Sequence, residues 1–369
     1  MKFLLFLFSP FCWLYQFLFW LSQNKIKPVI LPNVLVLSVG NITVGGTGKT
    51  PFVQYLVRFF QKTNKDYAIT ILSRGYKAEK SKEGAILPNG LSPHLFGDEP
   101  SEHKETFPNV QVIIGKNRVS SFLKYNQFQG KRHIVILDDG FQHKQIHRDF
   151  DIVLLDANAP FGNGFTLPLG FLREPISHLS RANTIVFTKL TKTNEISLPK
   201  YREKLNQNGI KVPHYRSHFS AYLNEVHLET LTQTRIFPPK NPLSNEANIS
   251  YFLFTGVGNP KHVWETASSV LETNQIRHRF FPDHYDFEET VLFTLLAEIE
   301  KETILITTEK DWVKVRMHSS FLKELIKRKI RLVLLKIEVK IEDSKMFESI
   351  LAGLVSTYEV KNDLVSKTE

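Results

Sequence analysis

The chain has 369 residues, of which 42% are hydrophobic and 23% are charged, and this composition is ordinary for a soluble globular protein. The length favours two domains and allows a large buried core. The single cysteine, Cys12, excludes an intramolecular disulfide. The formal net charge of +10 fits an anionic partner, which could be a nucleotide, a phosphorylated substrate, a membrane surface or nucleic acid.

The N-terminal stretch over residues 3–21 carries no charge, and nine of its 19 residues are aromatic. As a helix it would be about 28 Å long, close to the hydrocarbon thickness of about 30 Å. Aromatic rings favour the membrane–water interface, and Pro10 would kink a spanning helix. We therefore predict a monotopic anchor helix over residues 1–27. The alternatives are a spanning helix, a helix buried in the core, and a cleaved signal peptide, which would need an A-x-A-like site.

A glycine-rich loop follows the first core strand, which is the apolar, β-branched run at 34–39. Four glycines, Lys49 and Thr50 separate this strand from an amphipathic helix, which is the layout of a phosphate-binding P-loop. Glycine lets backbone N–H groups approach phosphates, Lys49 supplies a charge for the β- and γ-phosphates, and Thr50 supplies a hydroxyl for Mg²⁺. Thr43 stands where the usual pattern begins with glycine, so the alternative is a glycine-rich turn before a helix.

Charged residues follow three of the later elements. Arg74 follows the strand at 68–72, at the end where ligands bind in parallel α/β sheets, although a surface arginine at a turn fits equally well. Asp98 lies in a Gly-Asp-Glu-Pro segment that fits a helix cap, a general base or a metal contact, and spacing alone favours the cap. Arg118 opens a helix after the strand at 110–114, where it could meet an anion or be solvated.

The segment HIVILDDG, which starts at His133, is an apolar strand that ends in two acids. Downstream of a P-loop this is the Walker B arrangement, in which Asp138 would hold Mg²⁺ and Asp139 lies beside it. His143 and His147 could share a metal, but polar contacts in a nucleotide site fit better because no third ligand stands out. The segment at 188–191 is similar to a guanine-reading loop but lacks its Asn and Asp, which disfavours a GTPase.

The rest of the chain alternates strands and helices. A long Gly/Pro-rich loop carries Arg173 and Glu174, and loops of this length are usually functional or disordered. Asp283 and His284 could form an acid–base pair in an interdomain cleft, or a helix cap and a surface histidine. The pattern predicts an α/β fold with a P-loop NTPase-like, mostly parallel sheet domain over 28–219, a junction over 220–249 and a smaller α/β domain over 250–369.

Eight segments resemble the tetraacyldisaccharide 4′-kinases of lipid A biosynthesis, in that family's order: SVGNITVGGTGKTP, SRGY, GDEP, LDDGFQH, LREP, FTGVGNP, FPDHYDF and TTEKDWVK. The family has Ser or Thr where the usual P-loop begins with Gly, which accounts for Thr43. The resemblance implies transfer of the γ-phosphoryl group of ATP, with Mg²⁺, to the 4′-hydroxyl of a tetraacylated glucosamine disaccharide 1-phosphate. It also implies two α/β domains joined by a two-stranded linker.

The resemblance assigns roles to individual residues. Asp98 would take the proton of the acceptor hydroxyl, and His284 would raise the basicity of Asp98. Lys49 and Asp139 would complete the catalytic set, and Thr50 and Asp138 would hold the metal. The residues that would bind nucleotide or substrate phosphates are Thr43, Gly45, Gly46, Thr47, Gly48, Lys49, Thr50, Arg74, Arg118 and Arg173.

A membrane-confined acceptor implies a protein at the cytoplasmic face of the inner membrane, with the lipid and the membrane surface as partners and no nucleic acid. The sequence leaves the oligomeric state open. The alternative from another class is a membrane-tethered P-loop ATPase that acts as a switch or assembly factor. The acid of GDEP and the histidine of FPDH favour the kinase, because a switch needs no base for an acceptor.

Overall fold

The computed structural model describes residues 12, 14–18, 21, 26–89, 92–129, 131–236, 250–300 and 303–365. Most of the predicted anchor over 1–27, and the end of the predicted junction at 237–249, lie outside the described residues. The residues described between positions 12 and 21 are helical. No helix in these ranges combines the length and the apolar character that a membrane crossing requires.

Thirteen strands in the described part of the chain form one mixed sheet. Their bounds are β1 (Val34–Gly40), β2 (Ala68–Ser73), β3 (Ala85–Ile86), β4 (Gln111–Ile114), β5 (His133–Asp138), β6 (Phe150–Asp156), β7 (Thr184–Thr188), β8 (His214–His227), β9 (Thr232–Ile236), β10 (Tyr251–Thr255), β11 (Ile276–Phe280), β12 (Ile304–Thr308) and β13 (Arg331–Ile341). The order is β11-β10-β12-β13-β8-β7-β6-β1-β5-β2-β4-β3, and β9 pairs with β8 off this path. The predicted α/β class is confirmed.

Helices connect most of the strands. After residue 26 their bounds are α1 (Lys49–Thr63), α2 (Pro93–Phe96), α3 (Asp98–Thr106), α4 (Arg118–Tyr125), α5 (Leu198–Gln207), α6 (Pro260–Leu271), α7 (Glu289–Glu298), α8 (Glu309–Val315), α9 (Ser319–Arg328) and α10 (Ser344–Val365). Short 3₁₀ turns lie at Glu79–Ser81, Ile176–Arg181 and Glu195–Ser197.

The first half of the chain forms a parallel sheet centred on β1. Strands β5 and β6 pair with β1 on its two sides, and Val34 lies opposite His133. Strands β2, β4 and β7 continue the sheet in parallel, and β3 closes one edge antiparallel to β4. All seven residues of β1 are buried, as expected for a parallel strand covered on both faces. Because the carboxyl ends of parallel strands meet at one edge, Ser73 and Asp138 come together there.

The second half joins the same sheet through the 14-residue strand β8. The beginning of β8 pairs in parallel with β7, and the rest pairs antiparallel with β13, starting from Ser217 opposite Ile341. Strands β10, β11, β12 and β13 are parallel to one another. The described part of the predicted junction, 220–236, is the end of β8 and the antiparallel strand β9. The chain therefore passes between its two halves on β8 and β13.

The last helix, α10, packs against the first half of the chain. Phe347, Leu351 and Val355 are buried in the same core cluster as Phe52 of α1 and Tyr215 of β8. The ring of Phe347 lies 6.0 Å from that of Phe52 and 5.1 Å from that of Tyr215, in edge-to-face geometry. The proposed division at 250 stays a prediction, but these contacts place α10 with the first core.

We expect Phe347→Ala to lower the free energy of unfolding by about 3–5 kcal/mol, because it empties a buried ring site between α1 and β8. Urea titration followed by circular dichroism measures this loss. Met346→Ala is the matched control, because its side chain is 64% exposed on the same helix and its loss should stay within about 0.5 kcal/mol. Equal urea midpoints for the two variants would show that α10 does not contribute to the first core.

Candidate active site

The predicted glycine loop connects β1 to α1 at the carboxyl edge of the sheet. Gly48 immediately precedes α1, which begins at Lys49 and carries Thr50 in its first turn. Gly48 has a left-handed φ of +86°, and a Cβ at this position would overlap the ring of Phe219 from β8. Gly45 also has a left-handed φ, of +114°. The loop therefore needs glycine for backbone geometry as well as for access by a phosphate.

Side chains from β7 and the residue after it hold the loop by its carbonyl groups. Thr188 Oγ1 donates to the Thr47 carbonyl at 2.8 Å, and Lys189 Nζ donates to the Gly46 carbonyl. Thr43, at the start of the loop, pairs with the long Gly/Pro-rich loop through an isolated β-bridge. These contacts occupy loop carbonyl groups within the protein. The backbone N–H groups of the loop are then available to bind an anion.

Lys49 and Arg173 both contact the second acid of the Walker B segment. Lys49 Nζ lies 3.4 Å from Asp139 Oδ1, and the Arg173 guanidinium donates to Asp139 Oδ2 at 2.9 Å. Burial opposes ionisation of Asp139, but the charges of Lys49 and Arg173 outweigh it and lower the pKa of this carboxyl. Asp139 is therefore ionised at neutral pH, and it holds the P-loop lysine and the loop arginine on one carboxylate.

Asp138, at the end of β5, is buried at the same edge. Its Oδ2 accepts from Ser73 Oγ at 3.4 Å, and His103 Nε2 lies 3.6 Å away. Arg118 is also buried, and its guanidinium donates to the Asp138 carbonyl at 2.8 Å and the Asp139 carbonyl at 3.2 Å. The structure thus places Arg118 against the backbone of the two acids, and its predicted contact with a phosphate stays a prediction.

Arginines gather around this edge of the sheet. Arg74 is exposed directly after β2, whereas Arg118 is buried behind the acids. Burial, and then the charges of Arg118, Arg148 and Arg74, lower the pKa of His143 to about 3, so this ring is neutral at pH 7. No group of three or more metal-ligating His, Cys, Asp or Glu occurs in the described ranges. The excess of positive charge at the edge suits a polyanionic ligand.

Glu174 and Lys189 were given no role by the sequence, and both lie in the site. Glu174 is fully buried and accepts hydrogen bonds from Gln142 at 2.7 Å, Arg181 at 2.8 Å and His178 at 2.9 Å. Burial opposes its ionisation, but these partners outweigh burial and lower the pKa of Glu174. The sequence feature that could have identified Glu174 as a site residue is its position next to Arg173 in the LREP segment.

The N-terminal helical residues contact the loop that carries Arg173. Tyr15 Oη donates to the Arg173 carbonyl at 3.1 Å, and Gln16 Nε2 donates to Thr166 Oγ1 at 3.0 Å. Cys12 Sγ is buried and lies 3.2 Å from the Thr166 carbonyl. Cys12, Tyr15 and Gln16 of the predicted anchor therefore pack beside the site.

Asp98 and His284 meet across the two halves of the chain. Asp98 begins α3 after Gly97, and His284 lies in the loop between β11 and α7 with a left-handed φ of +63°. His284 Nδ1 lies 2.7 Å from Asp98 Oδ2, although 186 residues separate them. The structure thus joins His284 to Asp98, whereas Asp283, the partner considered from the sequence alone, lies 3.9 Å from His284 Nε2. The catalytic roles of Asp98 and His284 stay predictions.

Helix α3 also lies against α1, the helix that starts at the P-loop. Gln54 Nε2 donates to Glu102 Oε1 at 3.1 Å, and α3 carries His103 to Asp138. Glu102 is four residues after Asp98, an axial rise of about 6 Å. The GDEP acid and the P-loop lysine are therefore on the same side of the sheet, on two helices that touch.

These groups can perform a phosphoryl transfer. Glycine-loop N–H groups and Lys49 suit the phosphates of a nucleotide, and a histidine-paired carboxylate on the neighbouring helix suits an alcohol acceptor. The residues also fit Mg²⁺, which proteins usually bind through one or two carboxylates together with substrate phosphates. Asp138 and Thr50 would supply the protein oxygens.

Comparisons with known proteins agree with this chemistry. A model of the family described as tetraacyldisaccharide-1-P 4′-kinase matches residues 4–356. The tetraacyldisaccharide 4′-kinase of Leptospira biflexa serovar Patoc is 65% identical over 372 residues, which is 99% of this chain and 100% of the relative. The enzyme of the same name from Halothermothrix orenii is 34% identical and covers 87% of this chain and 84% of its own length.

A solved structure is similar across nearly the whole fold. The crystal structure of LpxK from Aquifex aeolicus in complex with ATP has a TM-score of 0.69 and 26% identity, and covers 94% of this chain and 98% of its own. The family match, the relatives and this structure agree with the resemblance carried by the eight segments. The chain belongs to the tetraacyldisaccharide-1-P 4′-kinase family.

Proposed function

We propose that this protein transfers the γ-phosphoryl group of ATP to the 4′-hydroxyl of a tetraacylated glucosamine disaccharide 1-phosphate, a step of lipid A biosynthesis. Family membership supports the reaction class. The observation that carries the proposal is the 2.7 Å contact of His284 with Asp98 on a helix that touches the P-loop helix. Phosphoryl transfer to an alcohol uses a base that takes the hydroxyl proton. A carboxylate held by a histidine next to a P-loop can serve as that base.

The donor side of the site binds and orients ATP. Backbone N–H groups of the loop at 43–48 and the charge of Lys49 would hold the β- and γ-phosphates. Mg²⁺, held by Thr50 and Asp138, would neutralise charge that develops on the phosphate oxygens. Arg173 is held by Asp139 at the loop edge, and Arg74 is exposed nearby, so both are proposed to meet phosphates of ATP or of the lipid.

The acceptor side supplies the base. Asp98 takes the proton of the 4′-hydroxyl while the oxygen attacks the γ-phosphorus and the bond to the β–γ bridging oxygen breaks. General base catalysis of this kind typically contributes about 10²–10⁴-fold. His284 Nδ1 faces the carboxylate and holds it in place for the proton transfer. The two groups come from different halves, so the acceptor base requires both.

The lipid acceptor supports a location at a membrane. The protein is proposed to lie at the cytoplasmic face of the inner membrane, with the aromatic segment over 1–27 as a monotopic anchor. The net charge of +10 favours anionic headgroups as well as the phosphorylated substrate. Contacts of Tyr15 and Gln16 with the loop of Arg173 would seat the anchor next to the reaction site.

An assay with radiolabelled ATP and the acylated disaccharide 1-phosphate tests the proposed function and the role of Asp98. Label should appear in the lipid with the native chain. Asp98→Ala should lower kcat by on the order of 10²–10⁴-fold and leave the KM for ATP within about twofold, because the base is lost and the donor site is kept. Glu99→Ala, the neighbouring carboxylate, is the matched control.

Two results would contradict this reading. Label that reaches only water with the native chain would favour the alternative, a membrane-tethered ATPase that acts as a switch. Equal losses of turnover and ATP affinity in Asp98→Ala would make Asp98 a structural residue.

Deletion of residues 1–21 should move the protein from the membrane pellet to the supernatant, because the aromatic segment supplies the apolar contact with the bilayer. Fractionation of expressing cells measures the distribution. Full-length Asp98→Ala keeps the segment and should remain in the pellet. A truncated chain that still pellets with membranes would assign the attachment to another surface.

A further inference from the structure

Lys314 of α8 is a buried charge that lies in the site but has no part in the mechanism described above. Its side chain is only 7% exposed, and its Nζ lies 3.0 Å from Asp98 Oδ2. The same Nζ donates to the Tyr285 carbonyl at 3.1 Å and lies 3.7 Å from the exposed carboxylate of Asp286. An ammonium this far from water needs such partners, so its position is fixed by Asp98 and the Tyr285 carbonyl.

Lys314 and His284 contact the same oxygen of Asp98. Both distances, 3.0 Å and 2.7 Å, end on Oδ2. A carboxylate has two oxygens and about four acceptor positions, and two donors on one oxygen fix the rotation of the group. For each of the two groups Oδ2 is the nearer oxygen of Asp98. The arrangement leaves Oδ1 as the oxygen that can accept the proton of an acceptor hydroxyl.

Lys310, one turn earlier on α8, lies beside the nitrogen of His284 that does not face Asp98. Its Nζ lies 3.4 Å from His284 Nε2 and 3.3 Å from Asp283 Oδ1. Nε2 also lies 3.9 Å from Asp283 Oδ2, while Nδ1 faces the Asp98 carboxylate, an acceptor, at 2.7 Å. Nδ1 then carries the proton and donates to Asp98. Helix α8 thus contributes two lysines to one catalytic pair.

The other side chains of α8 have separate structural tasks. Asp311 Oδ2 accepts from Thr255 Oγ1 at 2.6 Å and from the capping residue Thr308 at 2.7 Å. Trp312 is fully buried in the core of the second half. The helix is therefore held in place by residues other than Lys314, and Lys314 is the member of α8 that contacts Asp98.

We infer that Lys314 is a positioning residue for phosphoryl transfer, which holds the Asp98 carboxylate by Oδ2 and turns it so that Oδ1 meets the acceptor hydroxyl. The inference rests on the proposed function. In the transfer, the acceptor O–H bond breaks and its proton goes to Oδ1. The oxygen forms a bond to the γ-phosphorus, and the bond from this phosphorus to the β–γ bridging oxygen breaks to leave ADP. Lys314 touches none of the reacting atoms and acts through Asp98.

The test compares Lys314→Met and Lys314→Arg in the full-length protein, with the acylated disaccharide 1-phosphate in detergent micelles. Lys314→Met should lower kcat by on the order of 10²-fold and leave the KM for ATP within about twofold. Lys314→Arg keeps the charge and should recover at least about tenfold of that loss. Asp286→Asn, which removes the exposed partner of Lys314 and leaves Asp98 untouched, is the control and should match the native chain.

A double-mutant cycle separates positioning from a general structural effect. In an Asp98→Asn background no carboxylate charge remains to be positioned, so adding Lys314→Met should change the residual transfer by less than about twofold. If Lys314→Met instead lowers the rate by the same factor in both backgrounds, or if the Met and Arg variants lose kcat equally, the inference is overturned. Melting temperatures identify unfolded variants, and Lys314→Gln, whose amide can still donate to the Tyr285 carbonyl, replaces Lys314→Met if that variant unfolds.

The native chain distinguishes failure of this inference from failure of the proposed function. If native protein transfers no label to the lipid, the proposed function fails whatever Lys314 does. If native protein transfers label and Lys314→Met does so with an unchanged kcat, only the inference fails.

Discussion

The Asp98 carboxylate is the point on which both halves of the chain converge. It lies on α3 of the first half, whereas His284 and Lys314 reach it from the second half at 2.7 Å and 3.0 Å. The contact depends on a wider polar interface between α3 and α8, in which Thr106 donates to Glu309 at 2.7 Å and Arg316 pairs with Glu105. A small shift of one half relative to the other would weaken both contacts with Asp98, because hydrogen bonds weaken steeply as their geometry departs from the optimum.

On the donor side a second carboxylate is also held by two basic side chains. Asp139 is one carboxylate between two cations, Lys49 and Arg173, and its carbonyl and that of Asp138 are held by the buried Arg118. An incoming triphosphate would compete with Asp139 for the same two cations. Lys49 and Arg173 therefore have an anionic partner before any ligand arrives, and ligand binding would exchange one anion for another at these two cations.

The sequence predicted the parts of this arrangement that are local. Apolar runs of β-branched residues predicted the strands β1, β2 and β5, and glycine next to Lys49 and Thr50 predicted the P-loop. Both signals, the hydrophobic pattern of a strand and the residue types of a turn, lie within a few consecutive residues. The contact of Gln142 with Glu174, 32 residues further along the chain, and the contact of Lys314 with Asp98 join segments that are far apart in sequence. The packing of α10 on α1 was also missed, since an apolar helix face does not say which core it covers.

Helix α10 has a consequence for biosynthesis. The face of α1 that carries Phe52 is covered by Phe347, Leu351 and Val355, nearly 300 residues further along the chain. While the protein emerges from the ribosome, the nucleotide-binding half has its strands but not its last covering helix, so an apolar surface stays open until translation is almost complete. The first half therefore receives its last covering helix only after the second half has been synthesised, and chains that end before α10 would leave that surface exposed to chaperones and proteases.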